Sequence, residues 1–175
     1  QGRLIEEELR IAGILYRLYG GTQFFDRKEV KDVIAYLKVV DNERDELSLR
    51  RVLNVPTRGI GEATLKKVTA YAARPNLSFH RALRAAAIDG ELSNQARRGV
   101  MSVFAAIDNA RRALDAKQSL VQVTQGLLDE TGLAASIAKD DSAQGKRRRE
   151  NLFFLLRAFE RYEQKNKLTL NQLLT

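Results

Sequence analysis

The stretch Thr57-Arg58-Gly59-Ile60-Gly61, between Pro56 and the helical run 62–68, is the most informative part of this chain. Two glycines around one apolar residue allow a tight turn and leave no Cβ between the backbone and a ligand. The first N–H groups of the following helix have no intrahelical acceptor and lie at the positive end of its dipole. The stretch therefore predicts an anion site. Because a backbone donor does not distinguish bases, a nucleic-acid phosphate is the favoured occupant.

An alternative interpretation is that Gly59 and Gly61 only shape a connection between two helices. The local charge favours the anion site. Residues 51–100 carry three acids and nine cations, a surplus of six in a chain whose net charge is +8. The cations are Arg51, Arg58, Lys66, Lys67, Arg74, Arg81, Arg84, Arg97 and Arg98. Clustered positive charge is typical of a polyanion site.

The composition limits the other possibilities. A chain of 175 residues with 44% hydrophobic content can form one globular domain, or one domain with a satellite. Without cysteine it has no disulfide and no thiolate metal site, which is compatible with a reducing cytoplasm. His80 is the only histidine, so we expect a helix residue rather than a metal ligand. No apolar run approaches the roughly 20 residues of a membrane span, so we expect a soluble protein.

Hydrophobic periodicity predicts an all-α fold of roughly seven to nine helices without an internal repeat. A short strand stub is predicted at residues 14–19, and a polar, acidic loop near residues 139–146 (Ala138 to Gly145). The turn at Gly59–Gly61, called the glycine turn below, is predicted to join two helices in the manner of a helix-hairpin-helix. The helices are predicted at about 4–12, from about Asp26 to Val40 and at 47–53, 64–73, 78–87, 93–116, 120–131 and 146–161. Gly132 is expected to end the 120–131 helix, and the buried stripe of the 93–116 helix is predicted to be Val100, Val103, Phe104, Ile107 and Leu114.

Two other groups of cations are candidates for phosphate binding. Lys31 and Lys38 are seven positions apart on one predicted helix, so both can point the same way; the alternative is an ordinary solvated face. Lys146-Arg147-Arg148-Arg149 opens the last predicted helix, where four cations oppose the helix dipole. A bound phosphate would relieve that conflict, and a solvated charge run is the alternative.

No catalytic site is evident in the sequence. The chain lacks the Gly-x-x-x-x-Gly-Lys-Ser/Thr phosphate loop and an Asp-Glu pair closing an apolar strand, so it cannot hydrolyse ATP by that route. Neither a nucleophile elbow nor a nuclease-like acidic cluster occurs. We therefore predict a binding module with no catalytic residue, metal or cofactor of its own.

In chain order, several motifs resemble superfamily 1 DNA helicases of the UvrD/PcrA/Rep group across nearly the whole chain. A chance match to all of them in order is implausible. The matching stretches are Gln1–Glu7, Tyr16–Gly21, Phe24–Asp32, Ala35–Leu37, Arg51–Gly61 and, more weakly, Arg148–Leu152.

The resemblance implies a longer parent enzyme, an ATP-driven 3′ to 5′ DNA translocase and helicase whose ATP and Mg²⁺ site lies outside this chain. Residues 1–21 would be the edge of the second RecA-like motor domain, and residues 22–175 the helical 2B subdomain. The abrupt ends at Gln1 and Thr175 agree with a piece of something longer, truncated at its C-terminus. The parent would be cytoplasmic, associated with the bacterial nucleoid, with no membrane partner.

The 2B subdomain of such helicases contacts duplex DNA ahead of the unwinding junction and can restrain activity. The family's contacts correspond to the glycine turn and Thr64, with Lys31 and Lys38. Relatives commonly have Arg at the position of Lys38, and a further contact position that can be basic corresponds to Ala63, which departs from that pattern. Together with charge, this gives the candidate DNA-binding residues Thr57, Arg58, Gly59, Ile60, Gly61, Thr64, Lys66, Lys67, Lys31, Lys38 and Arg148.

Two functions remain open from the sequence. The first is a duplex-DNA-binding and regulatory subdomain of a repair or replication helicase, whose partners are DNA at a single-strand/double-strand junction and the parent's motor domains. The second is a protein-interaction or autoinhibitory module that contacts a repair protein or the motor domains, with the cations only solvating its surface.

Overall fold

The computed structural model describes residues 22–73 and 77–166. Within them the chain forms nine α-helices and no strand, which confirms the predicted all-α class. The predicted helix at about 4–12, the predicted strand stub at 14–19 and the boundary at residue 21 lie outside the described residues. The helices are α1 (Thr22–Phe25), α2 (Lys28–Asp41), α3 (Glu46–Val52), α4 (Glu62–Ala73), α5 (Phe79–Ile88), α6 (Asn94–Asp115), α7 (Leu120–Glu130), α8 (Leu133–Ala138) and α9 (Ala143–Asn166).

Helix α6 is the central element. It packs against α2, α5 and α7, while α9 closes the other side against α2, α7 and α8. Its apolar side chains recur at three- and four-residue steps, so a single stripe faces the core, as the sequence predicts. The buried members of that stripe are Val100, Val103, Phe104, Ile107 and Leu114.

Helix α4 lies at the periphery. It packs mainly on α5, and Val68 alone among its twelve residues is buried. A helix with so little buried surface contributes little to the core. The position of α4 leaves its N-terminus, directly after the glycine turn, open to solvent.

Side-chain caps fix where three of the helices begin. Asp45 Oδ1 accepts from Ser48 N at 3.0 Å, and Ser93 Oγ accepts from Ala96 N at 3.2 Å. Ser119 and Gln122 form a reciprocal capping box at the start of α7. The Ser93 cap places the first turn of α6 at residues 94–97, close to the glycine turn described below.

The loop predicted near residues 139–146 is wrong in extent, because helix α9 begins at Ala143. Ser142 acts as its cap: Ser142 Oγ accepts from Gly145 N at 3.1 Å, and Ser142 O accepts from Lys146 N at 3.0 Å. A polar, acidic composition indicated a loop, whereas the Ser142 cap starts a helix three residues before Lys146. The four cations therefore do not open the helix as predicted but follow its first three residues, farther from the positive end of the dipole.

Two short helices, α1 and α8, were missed by the sequence analysis. They span four and six residues, too few for a periodic pattern to form. Gly132, which was expected only to end the preceding helix, also begins α8 with φ +75°. Sequence punctuation thus located the break between α7 and α8 but not the turn of helix after it.

His80 lies in a cluster of charged side chains that joins α2, α5 and α6. It is 8% exposed, and its ring meets the Phe104 ring edge-on at 5.1 Å. Its Nε2 accepts from Arg84 Nε at 3.3 Å and lies 3.5 Å from Glu43 Oε2. Arg111 donates to Glu43 Oε2 at 2.7 Å and also to the last carbonyls of α2, so the cluster holds these helices together.

Burial lowers the pKa of His80, only partly opposed by Glu43. The unfolded chain therefore takes up the proton first as pH falls through 6.5, the ordinary histidine value, and stability decreases. We expect urea unfolding midpoints to fall between pH 7.5 and 5.5, with a free-energy slope of up to about 1.4 kcal/mol per pH unit. His80→Gln should flatten this dependence. An unchanged pH slope in His80→Gln would contradict the assignment.

Candidate nucleic-acid interface

The glycine turn is folded by the side chain of Asn54. After α3 the chain passes through a cis Val55–Pro56 peptide bond. Asn54 Oδ1 then accepts from Arg58 N at 2.6 Å and from Ile60 N at 3.3 Å, four and six residues further along the chain. Gly59 lies between these two donors with φ +75°, a conformation that favours glycine. One asparagine and one glycine therefore set the path of the turn.

The Arg58 guanidinium points into the protein and ties the turn to three neighbouring segments. Nη1 donates to the carbonyl oxygens of Val52, Leu53 and Pro56 at 3.1, 3.2 and 3.2 Å. Nη2 donates to Thr131 O at 2.6 Å, where α7 ends, and to the hydroxyl of Tyr36 on α2 at 2.9 Å. With five protein acceptors, the side chain of this predicted DNA-binding residue holds the turn in place.

Tyr36 completes this network from the core side. It is fully buried, and its hydroxyl donates to Val52 O at 3.2 Å and to Val55 O. Burial raises the pKa of the phenol, and Arg58 opposes this only in part, so the hydroxyl keeps its proton for donation. Arg58 and Tyr36 thereby satisfy the carbonyl groups at the C-terminal end of α3.

Ile60 and Gly99 bring the turn against α6. The Ile60 side chain is 2% exposed and the Ile60 N–H donates to Asn54, so this residue anchors the turn in the core and offers no free backbone donor. A Cβ on Gly99 would lie 2.8 Å from the Arg58 Cβ and 3.0 Å from the Arg58 carbonyl oxygen. A larger residue at 99 would force α6 and the turn apart.

The surface of the turn carries backbone donors. Gly61, Glu62 and Ala63 are exposed. In α4 the first backbone N–H that has an acceptor among the described residues is that of Leu65, which donates to Gly61 O at 3.1 Å. The N–H groups of residues 61–64 have no protein acceptor there, as expected for a helix start that no side chain caps.

Four other predicted residues surround these donors. Thr57 is exposed and Thr64 half-buried. Lys66 lies 2.9 Å from Glu62 in an exposed pair, and Lys67 is exposed with no protein partner in the described part of the chain. Such a surface pair contributes about 0.5 kcal/mol, so it leaves Lys66 able to exchange its partner for a phosphate.

Lys31 and Lys38 lie on one groove between α2 and α3. Both line a cavity of 280 Å³ together with Arg51, as the seven-residue spacing allows. Lys31 is paired with Asp26 at 2.9 Å, and Arg51 with the buried Asp32 at 2.8 Å. The apolar part of the groove is formed by Phe25, Ile34, Ala35 and Leu47.

Arg148 and Arg149 make contacts within the protein. Arg149 donates to the carbonyl oxygens of Ile137 at 3.2 Å and Asp140 at 2.7 Å, and so caps the C-terminal end of α8. Arg148 Nη1 lies 3.9 Å from Asp140 Oδ2, and its side chain is 25% exposed. Lys146 and Arg147 remain exposed without a protein partner in the described part.

Within the described residues, no group of three or more His, Cys, Asp or Glu side chains lies close enough to hold a metal ion. In the same part of the chain, no helix is long and apolar enough to cross a membrane. What the turn offers chemically is a set of backbone N–H donors without a protein acceptor among the described residues. Asn54 and Gly99, which shape the turn, are not among the residues predicted from the sequence. Asn54 had a usable signal, since Asn commonly accepts from backbone N–H groups in turns.

The chain matches a known family over residues 1–175 and known proteins over most of its length. The model of the family described as UvrD-like helicase C-terminal domain matches residues 1–175. The ATP-dependent DNA helicase PcrA of Bacillus subtilis is 37% identical over 166 residues, 95% of this chain and 22% of the relative. The ATP-dependent DNA helicase UvrD1 of Mycobacterium tuberculosis is 37% identical over 153 residues, 86% of this chain and 20% of the relative. The chain thus spans about a fifth of the length of these curated relatives.

Arg58→Met should lower the free energy of unfolding by about 2–4 kcal/mol, because four carbonyl oxygens lose a donor in a partly buried site. Arg58→Lys should recover only part of this, since an ammonium cannot reproduce the planar fork. Arg97→Met, at an exposed residue without a protein partner among the described residues, is the matched control. Equal urea stability of Arg58→Met and Arg97→Met would contradict the network.

Proposed function

The chain belongs to the UvrD-like helicase C-terminal domain family, and we propose that it is the duplex-DNA-binding and regulatory subdomain of an ATP-dependent 3′ to 5′ DNA helicase acting in DNA repair or replication. Residues 22–175 correspond to the 2B subdomain, and residues 1–21 to the edge of the second RecA-like domain. ATP and Mg²⁺ belong to the parent's motor domains. DNA at a single-strand/double-strand junction, the motor domains and repair proteins are its partners, in the cytoplasm at the nucleoid.

The observation that carries this proposal is the set of N–H groups at residues 61–64 that have no protein acceptor among the described residues; Gly61, Glu62 and Ala63 are exposed and Thr64 is half-buried. A phosphate at this position accepts several backbone hydrogen bonds at the positive end of the α4 dipole. Gly61 has open space where a Cβ would lie, so a phosphate can approach its backbone closely. Contacts of this kind hold any sequence equally, as a translocating enzyme requires.

Cations around the turn supply long-range attraction. Lys66 and Lys67 follow the donors on α4, and Lys31 and Lys38 offer a second point of contact on the groove between α2 and α3. Each neutralised phosphate contributes about −0.9 to the slope of log affinity against log salt, so several contacts give steep salt dependence. Arg58 contributes by shaping the turn, because its guanidinium is occupied by protein acceptors.

A second candidate function is protein interaction, and Leu47 favours it. Its side chain is 83% exposed at the groove that Lys31 and Lys38 line. DNA phosphates gain nothing from an exposed leucine, whereas a protein partner buries it at about 25 cal/mol per Å². Binding of a purified repair protein that survives high salt and ignores duplex competitor would favour this function over DNA binding.

Gly59→Val tests the DNA function. A Cβ at residue 59 would lie 2.7 Å from Gln95 Cδ, and valine is strained at φ +75°, so the turn should lose its backbone approach. We expect duplex affinity in fluorescence anisotropy to fall about tenfold. Gly90→Val is the matched control, with φ +78° and open space at its Cβ position. Both variants carry similar backbone strain.

If Gly59→Val and Gly90→Val bind a blunt duplex equally well, the turn is not a DNA contact. Circular dichroism at the assay temperature separates loss of binding from loss of fold. In the full-length helicase, the same pair of variants should differ in unwinding of a 3′-tailed duplex while retaining ATP hydrolysis stimulated by single-stranded DNA.

A further inference from the structure

The first turn of α6 lies directly against the glycine turn. A Cβ on Gly59 would lie 2.7 Å from Cδ and 3.1 Å from Nε2 of Gln95. One helical turn later, Gly99 meets Arg58. Residues four apart on a helix lie on the same face, so α6 borders the turn along its first two turns. The turn is therefore enclosed by α4 on one side and by α6 on the other.

Two exposed side chains at this border are unused by the protein. Within the described residues, neither the Gln95 amide nor the Arg98 guanidinium has a hydrogen-bond or ion-pair partner. Arg98 directly precedes Gly99 and follows Gln95 by three positions, so their Cβ atoms are about 5–6 Å apart. The amide lies beside Gly59, and its two N–H donors have no acceptor among the described residues.

We propose that α6 is the second wall of the phosphate site. The Gln95 amide donates to the phosphate seated on the Gly59–Gly61 turn, and the Arg98 guanidinium binds the next phosphate along the same strand. This inference rests on the proposed DNA function and extends it to two residues outside the turn. A guanidinium suits this role because it donates two parallel hydrogen bonds to one phosphate.

The two residues should leave different signatures. Arg98 brings a cation and releases a counterion, so its loss should flatten the salt slope by about 0.9. Gln95 is neutral, so its loss should weaken binding at every salt concentration and leave the slope unchanged. If the surface attracted DNA only by its overall positive charge, loss of the neutral Gln95 side chain would not weaken binding.

The test measures anisotropy of the 175-residue chain on a labelled blunt duplex across a salt series. We expect Arg98→Gln to weaken binding about fivefold at low salt and to flatten the slope, and Gln95→Ala to weaken binding about threefold at constant slope. Arg112→Gln is the matched control, an exposed arginine on the same helix, about 21 Å farther along it. We expect it to bind duplex with unchanged affinity and slope.

The outcomes separate this inference from the proposed function. If Gly59→Val weakens binding while Arg98→Gln and Gln95→Ala bind like the unaltered chain, α6 is not part of the site and the DNA function stands. If Arg112→Gln weakens binding as much as Arg98→Gln, only general charge is at work and the second wall is excluded. If Gly59→Val also binds like Gly90→Val, the DNA function itself fails. Both altered α6 side chains are exposed, so folding should be preserved.

Discussion

The rest of the site depends on the fork of hydrogen bonds that Arg58 makes inside the protein. Its guanidinium joins the end of α3, the end of α7 and the buried hydroxyl of Tyr36. Since the turn itself is short and α4 buries little surface, this fork and the Ile60 anchor supply most of the constraint on the backbone donors. Arg58, which the sequence predicts as a cation available to DNA, thus uses its guanidinium to hold the neutral backbone N–H groups in position.

The division of labour at the turn follows from that constraint. Side chains that point inward, Asn54, Arg58 and Ile60, set its shape. In the proposed function, the backbone of residues 61–64 supplies the donors for a phosphate, and such donors do not distinguish bases. The flexible lysine side chains nearby add positive charge without having to be fixed in one conformation. This arrangement suits the role proposed for the chain, in which the parent's motor domains provide chemistry and this subdomain positions the duplex.

The sequence predicted the features that depend on local pattern. Periodicity located the stripe of α6 from Val100 to Leu114, and the glycines located the turn. Other features depend on tertiary neighbours and could not be predicted. Whether Arg58 points outward or inward is decided by carbonyl groups supplied by α3 and α7, and the contact of Gln95 with Gly59 joins residues 36 positions apart. The start of α9 was missed because the Ser142 cap was outweighed by a polar, acidic composition.

The most direct test of the central claim is fluorescence anisotropy of the chain across a salt series, on three kinds of DNA probe, each prepared in unrelated sequences. The probes are a blunt duplex, a single strand and a 3′-tailed junction. We predict that duplex and junction bind more tightly than single strand, and that probes of one kind bind with equal affinity whatever their sequence. The predicted log-log salt slope is about −2 to −4, from several phosphate contacts. Binding of single strand alone, or duplex binding that does not depend on salt, would contradict a duplex phosphate site at the glycine turn.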